Sequence, residues 1–281
     1  MKKFIFLFMV GVTVVCLVSS YAKGALADGL VAYWRFENNP SDSAGGNHGT
    51  LVGGAHYVPG KLGQSVATSN DGTMDYVLLN TTSDGLTGAW TAAAWVNIHN
   101  RDVGGFIDGY YGDPADDDCY GLRLTQFGAT EHPGMTDYPT NVNGAWDGVD
   151  SQTQAYTPPL DTWTLLIFVG TDTECELFAD TVSQGTIFYS ETKGTHGDST
   201  EPTDDPMQFK LTWDRIGNIV KYESYGSAVV DFDEVAIWNR TLDLSDMAML
   251  YNDGAGVVIP EPATLVLLAL GGLALLRRKR R

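Results

Sequence analysis

Basic residues are scarce in this chain, with 17 Lys and Arg against 35 Asp and Glu over 281 residues. Eight of those bases sit at the ends. Lys2, Lys3 and Lys23 lie in residues 1–27, and Arg277, Arg278, Lys279, Arg280 and Arg281 lie in residues 257–281 beside one acid, Glu261. The middle keeps nine bases against 34 acids, a net charge of −25. A surface of that sign repels nucleic acid and anionic headgroups, and suits cations, neutral glycans or plain solubility. Cysteine is scarcer still, with Cys16 in an N-terminal apolar run and only Cys119 and Cys175 in the body. Nucleophilic chemistry has little to work with. There is no G-x-S-x-G, and His48, His56, His99, His132 and His196 have no Ser or Cys motif beside them, so they read as loop histidines. His48 and His56 would need partners that the sequence does not name to hold zinc. The acidic run Asp113, Asp116, Asp117 and Asp118 fails the EF-hand pattern, because the twelfth position is Leu124 or Phe127, and it reads as a solvated loop.

What is present begins with the two ends. Lys2 and Lys3 precede the apolar run Phe4–Val18, then Ser19, Ser20 and the small-residue triplet Ala25-Leu26-Ala27. This is the order of a secretory signal peptide, with cleavage expected after Ala27. Cys16 lies inside the apolar run, with Val15 where a lipoprotein site wants a small residue, and belongs to the signal core. The other end reads Pro260-Glu261-Pro262, an apolar stretch Ala263–Leu276 containing Gly271 and Gly272, and five bases. As a helix that stretch is about 21 Å long, short of the roughly 30 Å hydrocarbon core, so spanning needs thinning or snorkelling arginines. Bases at that end stay cytoplasmic and leave the body outside, in agreement with the signal peptide. The tail closely resembles the PEP-CTERM sorting signal. That resemblance implies processing by exosortase, an integral-membrane enzyme, and at least transient anchoring of an exported protein to the membrane and cell envelope.

Between the ends, over residues 28–256, apolar residues come in short runs broken by Gly, Asn, Asp and Pro, the spacing of an all-β sandwich. Strands are predicted at Leu30–Phe36, Trp90–Ile98, Trp163–Val169 and Val229–Trp238, the third apolar enough for burial on both faces. One helix is predicted over Asp246–Asp253, with Ser245 as N-cap and Gly254 as its stop. The stretch 104–159 reads as long loops on one face.

These runs resemble the laminin-G-like, concanavalin A-like jelly-roll domains of secreted bacterial proteins. The resemblance rests on Leu30-Val31-Ala32-Tyr33-Trp34-Arg35-Phe36-Glu37, Asp42 to Leu51, Val58 to Val66, Ala93-Ala94-Trp95-Val96, the hairpin Leu177-Phe178-Ala179-Asp180, and Phe232 to Leu242 with Leu250-Tyr251. Thr181 and Val230 depart from it, each standing where the family usually has Gly. The resemblance implies a two-sheet antiparallel sandwich. It also implies a structural Ca²⁺ joining the first strand's exit to the last strand, held by Glu37, Asp42, Asn47 and Asp233. Hard oxygen ligands suit that ion; the alternative is that they are turn formers and a surface carboxylate.

Sugar sites stack exposed aromatics on apolar sugar faces, and Tyr110, Tyr111, Tyr120, Tyr138, Trp146 and Tyr156 crowd the segment that the resemblance leaves unexplained. The alternative is that they simply cover the sandwich edge. Glycoside hydrolysis needs two carboxylates roughly 5–9.5 Å apart. Asp231 and Asp233 sit at i and i+2 on one strand and share a face, with Glu234 turned away; no E-x-D-x-x-E of the laminarinase-type hydrolases occurs. Cys119 and Cys175 either pair in an oxidising compartment or serve as two small buried hydrophobes. The sequence thus points to an exported, non-catalytic recognition or matrix module for polysaccharide or another surface polymer. A polysaccharide-degrading enzyme and a purely structural envelope protein stand behind it.

Overall fold

The structure, a computed structural model, describes residues 26–69, 75–80, 85–100, 105–110, 119–123, 134–138, 149–152, 156–171, 174–188, 211, 213–217 and 229–260. The elements are β1 (Leu30–Trp34), β2 (Gly49–Val52), β3 (His56–Pro59), β4 (Gln64–Thr68), β5 (Tyr76–Leu79), β6 (Trp90–Ile98), β7 (Gly105–Tyr110), β8 (Cys119–Arg123), β9 (Gly134–Tyr138), β10 (Val149–Gln152), β11 (Thr164–Gly170), β12 (Glu174–Ala179), β13 (Val182–Phe188), β14 (Arg215–Ile216), β15 (Val230–Trp238) and the helix α1 (Leu244–Tyr251).

The strands form two antiparallel sheets. The first runs β13-β12-β11-β6-β15-β4-β3, with β1 also paired to β15, and the second runs β10-β9-β8-β7-β14-β5-β2. This is a jelly-roll sandwich. Phe106, Ile107, Val77 and Ile216 of the second sheet pack on Trp34, Val66, Val96, Phe168 and Phe232 of the first. A second core lies on the outer face of the first sheet, where Tyr33, Trp95, Leu165, Ile167 and Trp238 meet Met247 and Leu250 of α1. Two cores explain why β6 and β11 read as almost unbroken apolar runs: alternate residues enter different cores, and only Asn97 and Val169 are less than buried.

β15 needs an irregularity to do the same. Phe232 faces the inter-sheet core, yet so do Val235 and Ile237, with Ala236 and Trp238 in the outer core. The parity switches at a bulge, where the register against β6 shifts between Asp233 and Ala236 and Glu234 has φ of +51°. Before the bulge β15 pairs with β4; after it, on the same edge, with β1.

Several expectations are corrected. β1 ends at Trp34, because Phe36 takes a left-handed φ of +56°. The helix starts at Leu244, capped by Asp243 rather than Ser245: the Asp243 side chain accepts from the N–H groups of Ser245 and Asp246, and Asp246 closes the capping box. It ends at a left-handed Asn252, φ +50°, two residues ahead of Gly254. Where long loops were expected over 104–159, β7 to β10 form a meander that widens the second sheet. Its strands are rich in Gly and polar residues, so they lack the apolar alternation by which strands are read. The hairpin of β12 and β13 forms with Thr181 at its turn, φ +74° beside Asp180 at +48°. Residues 1–25, and the apolar helix expected over 263–276, lie outside the described residues. Among the described residues no helix is long and apolar enough to cross a membrane.

Candidate functional site

The bulge in β15 puts two ionisable groups, Asp233 and Glu234, under the outer face of the first sheet. Asp233 is fully buried; its Oδ2 accepts the Leu62 N–H at 2.8 Å, and its Oδ1 has no hydrogen-bond partner. Glu234 is 3% exposed, and its Oε2 accepts the Tyr33 hydroxyl. The other oxygen, Oε1, has no hydrogen bond, since Arg35 Nε approaches it only to 3.7 Å. A regular strand would have turned Glu234 toward the opposite face from Asp233; the left-handed residue instead brings it to Tyr33, a member of the outer core.

Burial pushes the Asp233 carboxyl up to about 7, against the pull of the Leu62 N–H, and the nearby Glu37 charge raises it further. Burial alone takes Glu234 up to about 8. Glu37 comes close through the loop between β3 and β4. A Cβ on Gly63, which has φ +71°, would overlap the Glu37 carboxylate at 2.1 Å, and one on Gly60 would lie 2.6 Å from Asp233 Oδ2. The glycines thus let two acidic side chains pass against the backbone.

Of the four residues expected around calcium, the structure brings together Glu37 and Asp233. Asp42 and Asn47 belong to a separate loop. Asp42 Oδ1 accepts from the N–H groups of Tyr33, Ala44 and Gly45 at 2.9 Å each, and Oδ2 from Asn47 N and Nδ2 at 3.0 Å. Both oxygens are thereby saturated, which is the loop-forming role and leaves little for a cation. Among the described residues no group of three or more His, Cys, Asp and Glu is arranged to hold a metal.

The carboxylates Asp231 and Asp233 are engaged by different partners, Asp233 by the Leu62 N–H and Asp231 by His99. Asp231 Oδ2 is 3.0 Å from Nε2 of His99, whose Nδ1 is 2.8 Å from Asp161 Oδ1. Burial lowers the imidazole pKa, but the hydrogen bonds to Asp161 and Asp231 outweigh it and leave it raised. Sequence reasoning missed this Asp–His–Asp set by treating His99 as an isolated loop residue. The signal was available only through pairing, since Asp231 sits opposite Asn97 in the ladder of β15 and β6.

Tyr110 and Tyr138 share one rung of the second sheet with Cys119 between them, and Tyr120 occupies the neighbouring rung with Gly109 and Asp137. Tyr156 is half-buried against the inter-sheet core, which gives it a packing role. Tyr111, Trp146 and the acidic run Asp113–Asp118 lie outside the described residues. Cys175 is a free thiol, fully buried in the inter-sheet core, its pKa driven above the usual range by that burial. Cys119 belongs to β8 of the second sheet, and Cys175 fills the place of a small core hydrophobe.

Two antiparallel sheets packed face to face define the jelly-roll class of fold. The profile of the concanavalin A-like lectin/glucanases superfamily matches residues 71–248, more than half of the chain, which therefore belongs to that laminin-G-like family. The PEP-CTERM protein-sorting motif matches residues 258–281, which makes the protein one destined for export and envelope association. No curated protein matches the chain. Similar solved structures include domain 4 of AbnA, an extracellular arabinanase from Geobacillus stearothermophilus in complex with arabinotriose, at 15% identity, covering 78% of this chain and 96% of that one, TM-score 0.49. The binding domain of botulinum neurotoxin DC, in complex with rat synaptotagmin II, gives 9% identity, 81% and 52% coverage and TM-score 0.54. A botulinum neurotoxin type C structure concerned with two ganglioside molecules gives 11%, 82% and 52%, and 0.53. The chain spans about half the length of these two toxin structures.

Proposed function

We propose that the protein is a non-catalytic recognition or matrix module of the cell envelope, whose partner is a polysaccharide or another surface polymer. The observation that carries the reading is the meander β7–β10. It broadens one sheet by four strands beyond β14 and sets Tyr110 and Tyr138 on one rung, two strands apart, with Tyr120 on the neighbouring rung. A broad sheet carrying aromatic rungs suits weak, stacking recognition of an extended polymer. The acidic groups support a non-catalytic role: Asp231 is engaged by His99, and Asp233 and Glu234 are buried. An exosortase-type enzyme would cut the tail near Pro260-Glu261-Pro262, with membrane attachment through residues 263–276 before that cut.

A structural Ca²⁺ remains part of this reading, on Glu37 and Asp233. The unpartnered Asp233 Oδ1 and the repulsion from Glu37 are what a hard cation would relieve. The test of function is a glycan array with the mature, tail-less protein, followed by titration. Binding to one or more polysaccharides with Kd no tighter than about micromolar is expected, lost in a Tyr110→Ala, Tyr138→Ala double variant. Release of reducing ends, abolished by Asp231→Asn, would instead establish an enzyme.

A further inference from the structure

The N-terminal end of the described chain does not look like the stub left by a cut after Ala27. Leu26 is fully buried in the outer core, among Tyr33, Trp95, Trp238 and Ile259. Its carbonyl accepts the Trp238 indole N–H at 2.7 Å, deep in the fold. The next residues continue the attachment: Ala27 O accepts the Leu30 N–H at 3.4 Å, and Asp28 O accepts Arg240 Nε at 2.8 Å. Cleavage between Ala27 and Asp28 would remove the leucine, leave a side-chain-sized void beneath α1 and strip a buried indole of its acceptor. A leader is discarded and has no reason to fit the body this closely.

The sequence offers another cut. Ser20-Tyr21-Ala22 supplies small residues at the two positions a signal peptidase reads, four residues past the end of the apolar run at Val18. We propose that signal peptidase cleaves after Ala22, so that the mature protein begins at Lys23 and keeps Leu26 as a core residue. The reaction is hydrolysis of one amide: water adds across the Ala22–Lys23 bond, Ala22 leaves with a carboxylate, and Lys23 keeps the new amino group. Ala25-Leu26-Ala27 then imitates a cleavage triplet only in composition, because its leucine is claimed by the fold.

The test is expression of the full-length precursor in a bacterium with a secretion pathway, followed by N-terminal sequencing and intact mass of the exported protein. A start at Lys23 is expected. A start at Asp28 overturns the proposal, and a start at Ala25 or Tyr21 overturns the assignment to Ala22. Two variants check the same point independently. Ala25→Leu spoils the later triplet and should leave the start at Lys23; accumulation of uncut precursor would refute the assignment. Leu26→Ala should lower the Tm of the exported protein by roughly 10 °C, as expected for emptying a core leucine site. An unchanged Tm would mean that Leu26 had been removed with the leader.

Discussion

Glu234 combines three unfavourable features at one position: a left-handed backbone in a strand, near-complete burial, and an oxygen without a hydrogen bond. Such a group is tolerated when the neighbouring structure over-determines it, here the switch of β15 from β4 to β1. Its pKa, like that of Asp233, is raised in the folded state, so between the ordinary carboxylate range and about 7–8 the folded chain holds protons that the unfolded chain has lost. Stability from these groups is therefore present at mildly acidic pH and lost as pH rises toward 8. In calcium-free buffer Tm should fall from pH 5 to pH 8, and Glu234→Gln should flatten that slope in a calorimetric pH series. Because the Asp42 carboxylate accepts five N–H bonds, Asp42→Ala should cost about 2–3 kcal/mol in denaturant titration, equally with and without calcium.

Among the elements, the hairpin β12–β13 shows how far local sequence can be overruled. Two-residue hairpin turns with both residues left-handed favour Gly second, and Thr181 occupies that place with φ +74°. The strain of a β-branched residue there is about 1–2 kcal/mol, partly offset by the freedom glycine would lose. Thr181→Gly should thus raise stability by about 0.5–1 kcal/mol, measured by urea unfolding. The helix is held by its first turn. Asp243→Ala removes the acceptor for two backbone N–H groups and should cost about 1 kcal/mol in the same measurement, whereas Ser245→Ala, at the expected but not the actual cap, should cost much less.

For the molecule as a whole, the β15 bulge joins the two ends of the domain. Tyr33 on the first strand bonds Glu234 on the last, and its hydroxyl also receives the Ile259 N–H at 3.1 Å, one residue ahead of the Pro260-Glu261-Pro262 triplet. A cation on Glu37 and Asp233 would tighten the same seam. Excess Ca²⁺ over EDTA should raise Tm, with a stabilisation of about 2.7 kcal/mol at a hundredfold excess over Kd. Asp233→Asn should abolish the response, while identical melting curves for the wild type would remove the ion from the account.

The sequence by itself determined the sandwich and the sorting tail. Those rest on local chemistry: apolar runs bounded by turn formers, and a Pro-Glu-Pro triplet with its apolar stretch and bases. β6 and β11 were legible nearly to the residue, because burial on both faces writes itself as a nearly unbroken apolar run. Tertiary structure alone decided where the acidic residues stand. A single left-handed residue flips the parity of a strand, so no count along the chain could have placed Glu234 beside Tyr33 or separated Asp42 from Asp233. It also decided the fates of Leu26 and Cys175, whose surroundings come from strands distant in sequence. The meander β7–β10 was invisible for a related reason: its strands are specified by their ladder partners rather than by their own hydrophobic alternation.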